Sequence, residues 1–481
     1  MRRSSRLIRN AVVVVVATMA VGSIAVAGKA APAVKALVGG TLIDGTGAAP
    51  VKDSVVVFRE DRIACAGTRA ACPVPAGAEV LDVTGSWLTP GLIDAHVHFC
   101  QTGWADGRPD SLDLRDRYPY EKVEAGLRAH PERFLRADLC SGVTAVFDVG
   151  GYLWTIDLPK RVESDPFAPH VVAAGPLLST MDFWLNLPAE KQFIYLGDDI
   201  SARKAAHYVF NEGASAIKVW YIPVKTRPPD EMVTAVRCVG EEAVKLGVPL
   251  IVHATGLNEA KVALKAGAKM LVHSVDDAPV DAEFISMAKA NGTIYCPTLT
   301  VVGGYLRMYE AAATHKPPVV DDPNGCVDPL TRAHVAETAS LTLDPAVVQQ
   351  KLDRTRARVN AANPVMADNL RRVVAAGIPV AMGTDAGNPL TLHGPAVYAE
   401  MEAMQADGMT PMQVLVASTR NGALALGSAG KYLGTVEAGK VADVLAVAAD
   451  PTLDIAEMRK IRLVIRGGVV HPVPELAAPA R

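Results

Sequence analysis

At 481 residues the chain exceeds one ordinary compact domain and suits a large α/β barrel with a satellite. Half of its residues are hydrophobic, 21% are charged and 5% are aromatic, which supports a large core and excludes extended disorder. A formal charge of −3 excludes the basic footprint of a nucleic-acid binder.

The first predicted element is an export signal over 1–27. Arg2, Arg3, Arg6 and Arg9 precede an uncharged stretch from Ala11 to Ala27 that closes on Ala25-Val26-Ala27, the layout of a secretory signal peptide. It implies a periplasmic or secreted protein that meets a membrane only if this segment stays uncleaved. The apolar stretch is slightly short for a spanning helix. Loss of the four arginines would take the net charge from −3 to −7. The 7 cysteines include no C-x-x-C pair, so neither a zinc ribbon nor a redox motif is expected. Cys65 and Cys72, the nearest pair, suit a bridge across a hairpin, and the odd number leaves at least one thiol over.

From 34 to 88 the pattern is short β runs with Gly/Asp turns: Ala36–Val38, Thr41–Ile43, Ser54–Phe58, Arg62–Ala66 and Glu79–Asp82. Asp44-Gly45 is a strong turn signal. The same texture returns over 430–475, in Asp443–Val447 and Ile461–Ile465, with Gly467-Gly468 before a last β pair. Two β-rich pieces flanking an α/β middle predict one small composite β-sandwich domain built from both ends of the chain.

The middle, 89–429, alternates short apolar strands with amphipathic helices such as Asp230–Leu246 and Asn258–Ala266. The strands expected are Leu92–His98, Val143–Asp148, His170–Ala174, Ala216–Trp220, Leu250–His253, Met270–His273, Ile294–Cys296 and Val380–Gly383. Eight β/α units predict an α/β fold, a (β/α)8 TIM barrel with insertions. The longest irregular piece, about Arg307 to Ala362, precedes the last strand and is expected to shape the pocket.

Such a barrel gathers its catalytic groups at the C-terminal ends of its strands. Here the first strand ends in His96 and His98, and the fourth carries Lys218 inside an apolar run. The fifth ends in His253, the sixth in His273 and the eighth in Asp385. The i, i+2 spacing of His96 and His98 points both imidazoles to one side of a strand, half of a first-row metal site. Each residue alone is more often a satisfied core group or an ion pair; five strand ends agreeing point to metal binding.

The order H-x-H, Lys, His, His, Asp on strands 1, 4, 5, 6 and 8, with a composite β domain, resembles the amidohydrolase superfamily over essentially the whole chain after the signal. Gly434 to Asp443 is similar to that family's return into the small domain, and Gly213–Val219 resembles the prolidase-like and imidazolonepropionase-related branch. The resemblance implies a metal-dependent hydrolase of carbon–nitrogen (amide or peptide) bonds, with Lys218 carboxylated by CO2 and shared between two divalent cations. Zn²⁺ is the first choice for such donors, and Mn²⁺, Co²⁺ or Fe²⁺ are also compatible. His96, His98 and Asp385 would hold one cation, and His253 and His273 the other. A water between them would be acidified towards hydroxide near neutral pH, and Asp385 would act as general base and acid. A mononuclear arrangement with an unmodified Lys218 stays open, as does the number of chains in any homo-oligomer.

The implied substrate is a small-molecule amide, a dipeptide or an N-acyl amino acid. A cyclic amide, lactone or ester hydrolase would use the same donors, and a non-catalytic binding barrel would tend to lose one of them. Trp220-Tyr221-Ile222-Pro223 stands where the prolidase-like relatives carry a Met-Ala-Ser-Gly-Gly loop, and Ser179 to Trp184 replaces their Gly-Gly-His feature. Tyr221 is a candidate catalytic residue that would hydrogen-bond a developing oxyanion or a substrate carboxylate. Phe183 and Trp184 are candidates for an apolar pocket wall, and His393, just after the eighth strand, is within reach of the pocket but reads first as a surface loop residue.

Overall fold

The computed structural model describes residues 34–108, 110–182 and 192–478. The expected signal over 1–27, and Phe183 and Trp184, lie outside the described residues.

The chain opens with β1 (Val34–Val38), β2 (Thr41–Leu42), β3 (Ser54–Arg59), β4 (Arg62–Thr68), β5 (Glu79–Asp82) and β6 (Trp87–Pro90). It closes with β16 (Val444–Val447), β17 (Ile461–Arg466) and β18 (Val469–Pro472). These strands form two sheets, ordered β4-β3-β1-β5 and β18-β17-β16-β6-β2. Leu37, Val56 and Phe58 from the first pack against Leu88, Val444, Ala446 and Ile465 from the second. Alternate residues of each strand share this face, while the opposite faces are covered separately, Ala36, Val55 and Val57 by Cys72 and Leu445 and Val447 by the core around the barrel. The expected sandwich built from both ends of the chain is therefore present.

A single residue carries the chain from sandwich to barrel. Gly91 separates β6 from the first barrel strand, and a Cβ there would sit 2.1 Å from Thr144 Oγ1. Only glycine allows so close an approach.

The barrel strands are β7 (Leu92–Val97), β8 (Val143–Asp148), β9 (His170–Ala173), β12 (Ile217–Trp220), β13 (Leu250–His253), β14 (Met270–Val272) and β15 (Ile294–Cys296). All adjacent pairs within β7-β8-β9 and β12-β13-β14-β15 are parallel, and Ser215 N donates to Ala173 O to join the two groups. Ile93, Phe147, Val172, Ile251, Val272 and Cys296 fill the interior.

The eighth stave is not the strand expected over Val380–Gly383. It makes only isolated bridges, Tyr295 with Val380 and Val97 with Ala386. It still closes the barrel, because Ala381 N bonds Tyr295 O on one side and Ala95 N bonds Met382 O on the other. The stave packs so closely here that only glycine fits: a Cβ on Gly383 would lie 2.5 Å from Cys296 Sγ and 2.7 Å from His96 Cβ. Two short strands were not expected, β10 (Leu177–Ser179) and β11 (Phe193–Tyr195), which extend the sheet beside β12. Three residues are too few for a visible period.

The segment expected to be irregular, about Arg307 to Ala362, is mostly helical, spanned by Val301–Thr314, Pro329–Glu337 and Pro345–Ala375. Asp328 and Asp344 cap the last two helices, each followed by proline at the first helical position. That Asp-Pro pair is a start signal, and Pro364 inside the last helix obscures its continuity in the sequence.

Cys65 and Cys72 form the expected disulfide, and a second joins Cys140 to Cys326. Cys100, Cys238 and Cys296 are buried free thiols.

One ion-pair cluster ties barrel to sandwich. His170, at the start of β9, places Nε2 3.1 Å from Asp443 Oδ2 and Nδ1 2.9 Å from Glu163 Oε1. Burial alone would lower its pKa, but Asp443 and Glu163 outweigh that and raise it to about 9. A raised folded pKa contributes stability that is complete below the unfolded value of 6.5 and is lost as pH rises through about 9. His170→Gln is therefore expected to cost up to ~3 kcal/mol near pH 6. The gap from wild type should close above pH 9, as read by urea unfolding across pH.

Candidate metal centre

The donors expected from the sequence meet at the C-terminal mouth of the barrel. His96 Nε2 and His98 Nε2 are 3.1 Å apart. Asp385 Oδ1 lies 3.2 Å from the first and 2.9 Å from the second. His98 Nδ1 contacts the Gly150 carbonyl at 2.6 Å, so its proton belongs on Nδ1 and Nε2 presents a lone pair. His273 Nδ1 is 4.0 Å from Asp385 Oδ2, and one donor atom each from His96, His273 and Asp385 falls within 4.8 Å of the others. The His253 ring stands edge-on to His273, centroids 4.3 Å apart. His98, Lys218, His253, His273 and Asp385 all line one cavity of about 750 Å³.

A cation fits this donor set. Asp385 Oδ1 is buried and accepts no hydrogen bond. A tetrahedral ion with bonds of about 2.1 Å spaces its ligand atoms about 3.4 Å apart, close to the triangle observed. Burial keeps the imidazoles neutral, the state a ligand requires: His96 falls to about 3, and His253 and His273 fall well below the ordinary value.

Lys218 is 1% exposed and forms no ion pair among the described residues. Burial lowers its ammonium to about 8.

Two of the donors sit on strained backbone. His273 has φ 75° and Asp385 φ 63°, left-handed values that cost a side chain of this kind about 1–3 kcal/mol. Met270 and Val272 pack in the barrel interior, so simple alternation along β14 would turn His273 outward. The left-handed turn brings it to the cavity instead. Thr298, itself at φ 46°, meets His273 Nδ1 through its hydroxyl at 2.6 Å.

Supporting residues that the sequence reading passed over hold these positions. Asp94 accepts from His96 N at 3.1 Å, Thr384 N at 3.0 Å and Thr384 Oγ1 at 2.5 Å, joining the first stave to the eighth beside both donor sites. Burial lifts its pKa to about 7. Glu400 accepts from Leu299 N, Thr300 N and Thr300 Oγ1, which fixes the loop carrying Thr298. Asn388 donates to the Asp385 carbonyl at 3.0 Å and accepts from Tyr305 at 2.6 Å. Asp94 did carry a signal, a carboxylate in an apolar strand two residues before the first histidine. Glu400 lies in an ordinary helical pattern and carried none.

Two expectations need correction. Tyr221 is not brought to the cluster: its ring is buried in the core around the barrel and does not line the cavity. Lys218, Trp220 and Ile222 face the cavity, so the two-residue period turns Tyr221 away. His393 is buried rather than on the surface. Its ring stacks on Phe99 at 5.0 Å, its Nδ1 lies 3.8 Å from Asp138 Oδ2 and its Nε2 3.3 Å from the His98 carbonyl, and it does not line the cavity.

Comparison with known proteins agrees with this architecture. The model of the amidohydrolase family matches residues 87–470. The chain belongs to the amidohydrolase family. It is a hydrolase acting on carbon–nitrogen bonds, and membership implies one or more divalent cations. Ochratoxinase of Aspergillus niger is 24% identical, covering 90% of this chain and 86% of that one. An imidazolonepropionase of Rhizorhabdus wittichii is 27% identical, covering 83% and 89%. A crystal structure of a Xaa-Pro dipeptidase with methionine bound in its active site superposes with a TM-score of 0.68 at 23% identity, covering 92% of this chain and 100% of that one. The family, the barrel and the hydrolase class expected from the sequence are thereby borne out.

Proposed function

We propose that this amidohydrolase is an exported enzyme that hydrolyses the amide bond of a dipeptide or N-acyl amino acid. The observation that carries the reading is the convergence of His96, His98 and Asp385 within 3.2 Å of one another, on a cavity that Lys218, His253 and His273 also line. The names of the relatives, a dipeptidase and an ochratoxinase, support it. Two disulfides in the described residues, together with the Arg-led apolar N-terminus, support export.

His96, His98 and Asp385 would hold one cation, His253 and His273 a second, with Lys218 between them. A free ammonium cannot ligate, but a neutral amine adds to CO2 to give a carbamate and a proton. Lys218, lowered to about 8 from 10.5, has a far larger neutral fraction near physiological pH than an ordinary lysine. Imidazole and carboxylate oxygen favour Zn²⁺. When bound, such cations acidify water and polarise the scissile carbonyl.

The chain's own residues handle the proton and the geometry. Asp385 keeps Oδ1 towards the two histidines, and Oδ2 takes a proton from water as its oxygen bonds to the carbonyl carbon. The carbon–nitrogen bond then breaks, and Asp385 returns that proton to the leaving amine. Asp94 and Thr384 hold the two donor staves in register, so the carboxylate meets both histidines without reorganising.

The test is a panel of dipeptides, N-acyl amino acids, hydantoins and lactones offered to metal-loaded protein, with metal analysis and intact mass. Turnover of the linear amides with two metal equivalents and the added mass of CO2 on Lys218 is expected. Turnover confined to lactones would refute the peptidase reading. One equivalent and an unmodified Lys218 would refute the binuclear one.

A further inference from the structure

One wall of the cavity is a stripe of side chains from the helix Pro345–Ala375. Lys351, Arg354, Thr355 and Arg358 all line it. Their spacing of i, i+3, i+4 and i+7 places them on a single helix face. None of them belongs to the donor cluster or to the fold's barrel core.

The charges in this wall do not balance. Arg108 is satisfied by Asp110, through two hydrogen bonds of 2.9 and 2.8 Å. Arg358 meets Asp276 at 3.0 Å. Lys351 donates to the backbone carbonyl of Asp110 at 3.0 Å, and the single Asp110 carboxylate is shared between it and Arg108, which leaves one positive charge in surplus. Arg354 is exposed and has no ion-pair or hydrogen-bond partner among the described residues. Set against the carboxylates of Asp110 and Asp276, the wall therefore carries positive charge in surplus, with half-buried Lys351 and exposed Arg354 one turn apart on the helix. Trp220, Val301 and Met366 line the same space and supply apolar surface.

We propose that Lys351 and Arg354 are specificity-determining residues that bind a free carboxylate on the substrate, whose remaining body is apolar. This deepens the reading of the site as an amide hydrolase and rests on it for the scissile bond. A carboxylate is the anion that a dipeptide or N-acyl amino acid already carries, and the planar guanidinium of Arg354 can engage both its oxygens. The proposal gives the helical insertion before the last stave a function, as the part of the molecule that reads the acid.

Binding of 4-phenylbutanoate and of the uncharged 4-phenylbutan-1-ol to the metal-loaded protein tests this by calorimetry, since neither compound has an amide to cleave. The acid should bind about tenfold or more tightly than the alcohol, the value of a charge-assisted contact. Arg354→Gln and Lys351→Met should each remove most of that advantage and leave the alcohol unchanged. Added salt should weaken the acid alone. Equal binding of acid and alcohol by the wild type, or a preference unaltered in both variants, would overturn the proposal; the latter would place the carboxylate at the donor cluster. Failure of the loaded enzyme to cleave any amide would refute the proposed reaction and leave this binding result standing.

Discussion

Asp385→Asn is expected to lower kcat/KM of the metal-loaded protein by about 10³-fold or more, the range spanned by loss of a general base. The amide keeps an oxygen at Oδ1 but can neither take a proton from water nor return one to the leaving amine. The fold should survive the change, for two local reasons. The bond from Asp385 N to His96 O, 2.7 Å long, is made by backbone. Asparagine also tolerates the left-handed φ of 63° as well as aspartate does. Circular dichroism and thermal unfolding should therefore match the wild type while turnover is lost. Activity within tenfold of wild type would remove Asp385 from the proton path.

Lys218→Met separates function from stability in the opposite sense. The substitution keeps an unbranched chain of similar length in a site only 1% exposed and removes the amine. If the proposed binuclear site holds, metal content should fall from two equivalents towards one, and turnover by about 10²-fold or more, with loss of the proposed shared ligand. The metal-free protein should at the same time become more stable. A lysine whose folded pKa is lowered from 10.5 to about 8 destabilises the native state wherever the unfolded chain is protonated and the folded site resists it. That penalty is about 3 kcal/mol below pH 8 and vanishes above 10.5. The gain on substitution should follow the same pH window. A variant that loses both metal and stability at pH 7 would mean that the amine has a structural partner instead.

The contrast between these two residues and Tyr221 shows what a strand pattern can convey. Lys218 lies in β12 (Ile217–Trp220) and Tyr221 directly follows it, three positions on, so a two-residue period carried through the strand end cannot face both into the site. The parity argument was available from the sequence and decides against Tyr221. It fails for His273, which alternation along β14 would turn outward and which reaches the cavity only through its left-handed backbone. A strained φ leaves no mark in a sequence, because the surrounding contacts, here from Thr298 and the loop fixed by Glu400, are what hold it.

By itself the sequence determined the elements whose causes are local. Apolar runs ending in His96, His98, His253 and His273, the turns of the two terminal β pieces and the Cys65–Cys72 bridge all follow from spacing within a few residues. The tertiary structure alone decided the rest, where partners lie far apart in the chain. Those include the crowding of Gly383 against His96 and Cys296, the burial of His393 beside Asp138 and Phe99, and the bridge from Cys140 to Cys326. The same holds for the alignment of Lys351 and Arg354 with a cavity whose other walls come from segments far apart in the chain, from His98 to Asn388. Periodicity reports which face of an element is apolar, whereas the neighbour that face meets is fixed only when the barrel closes.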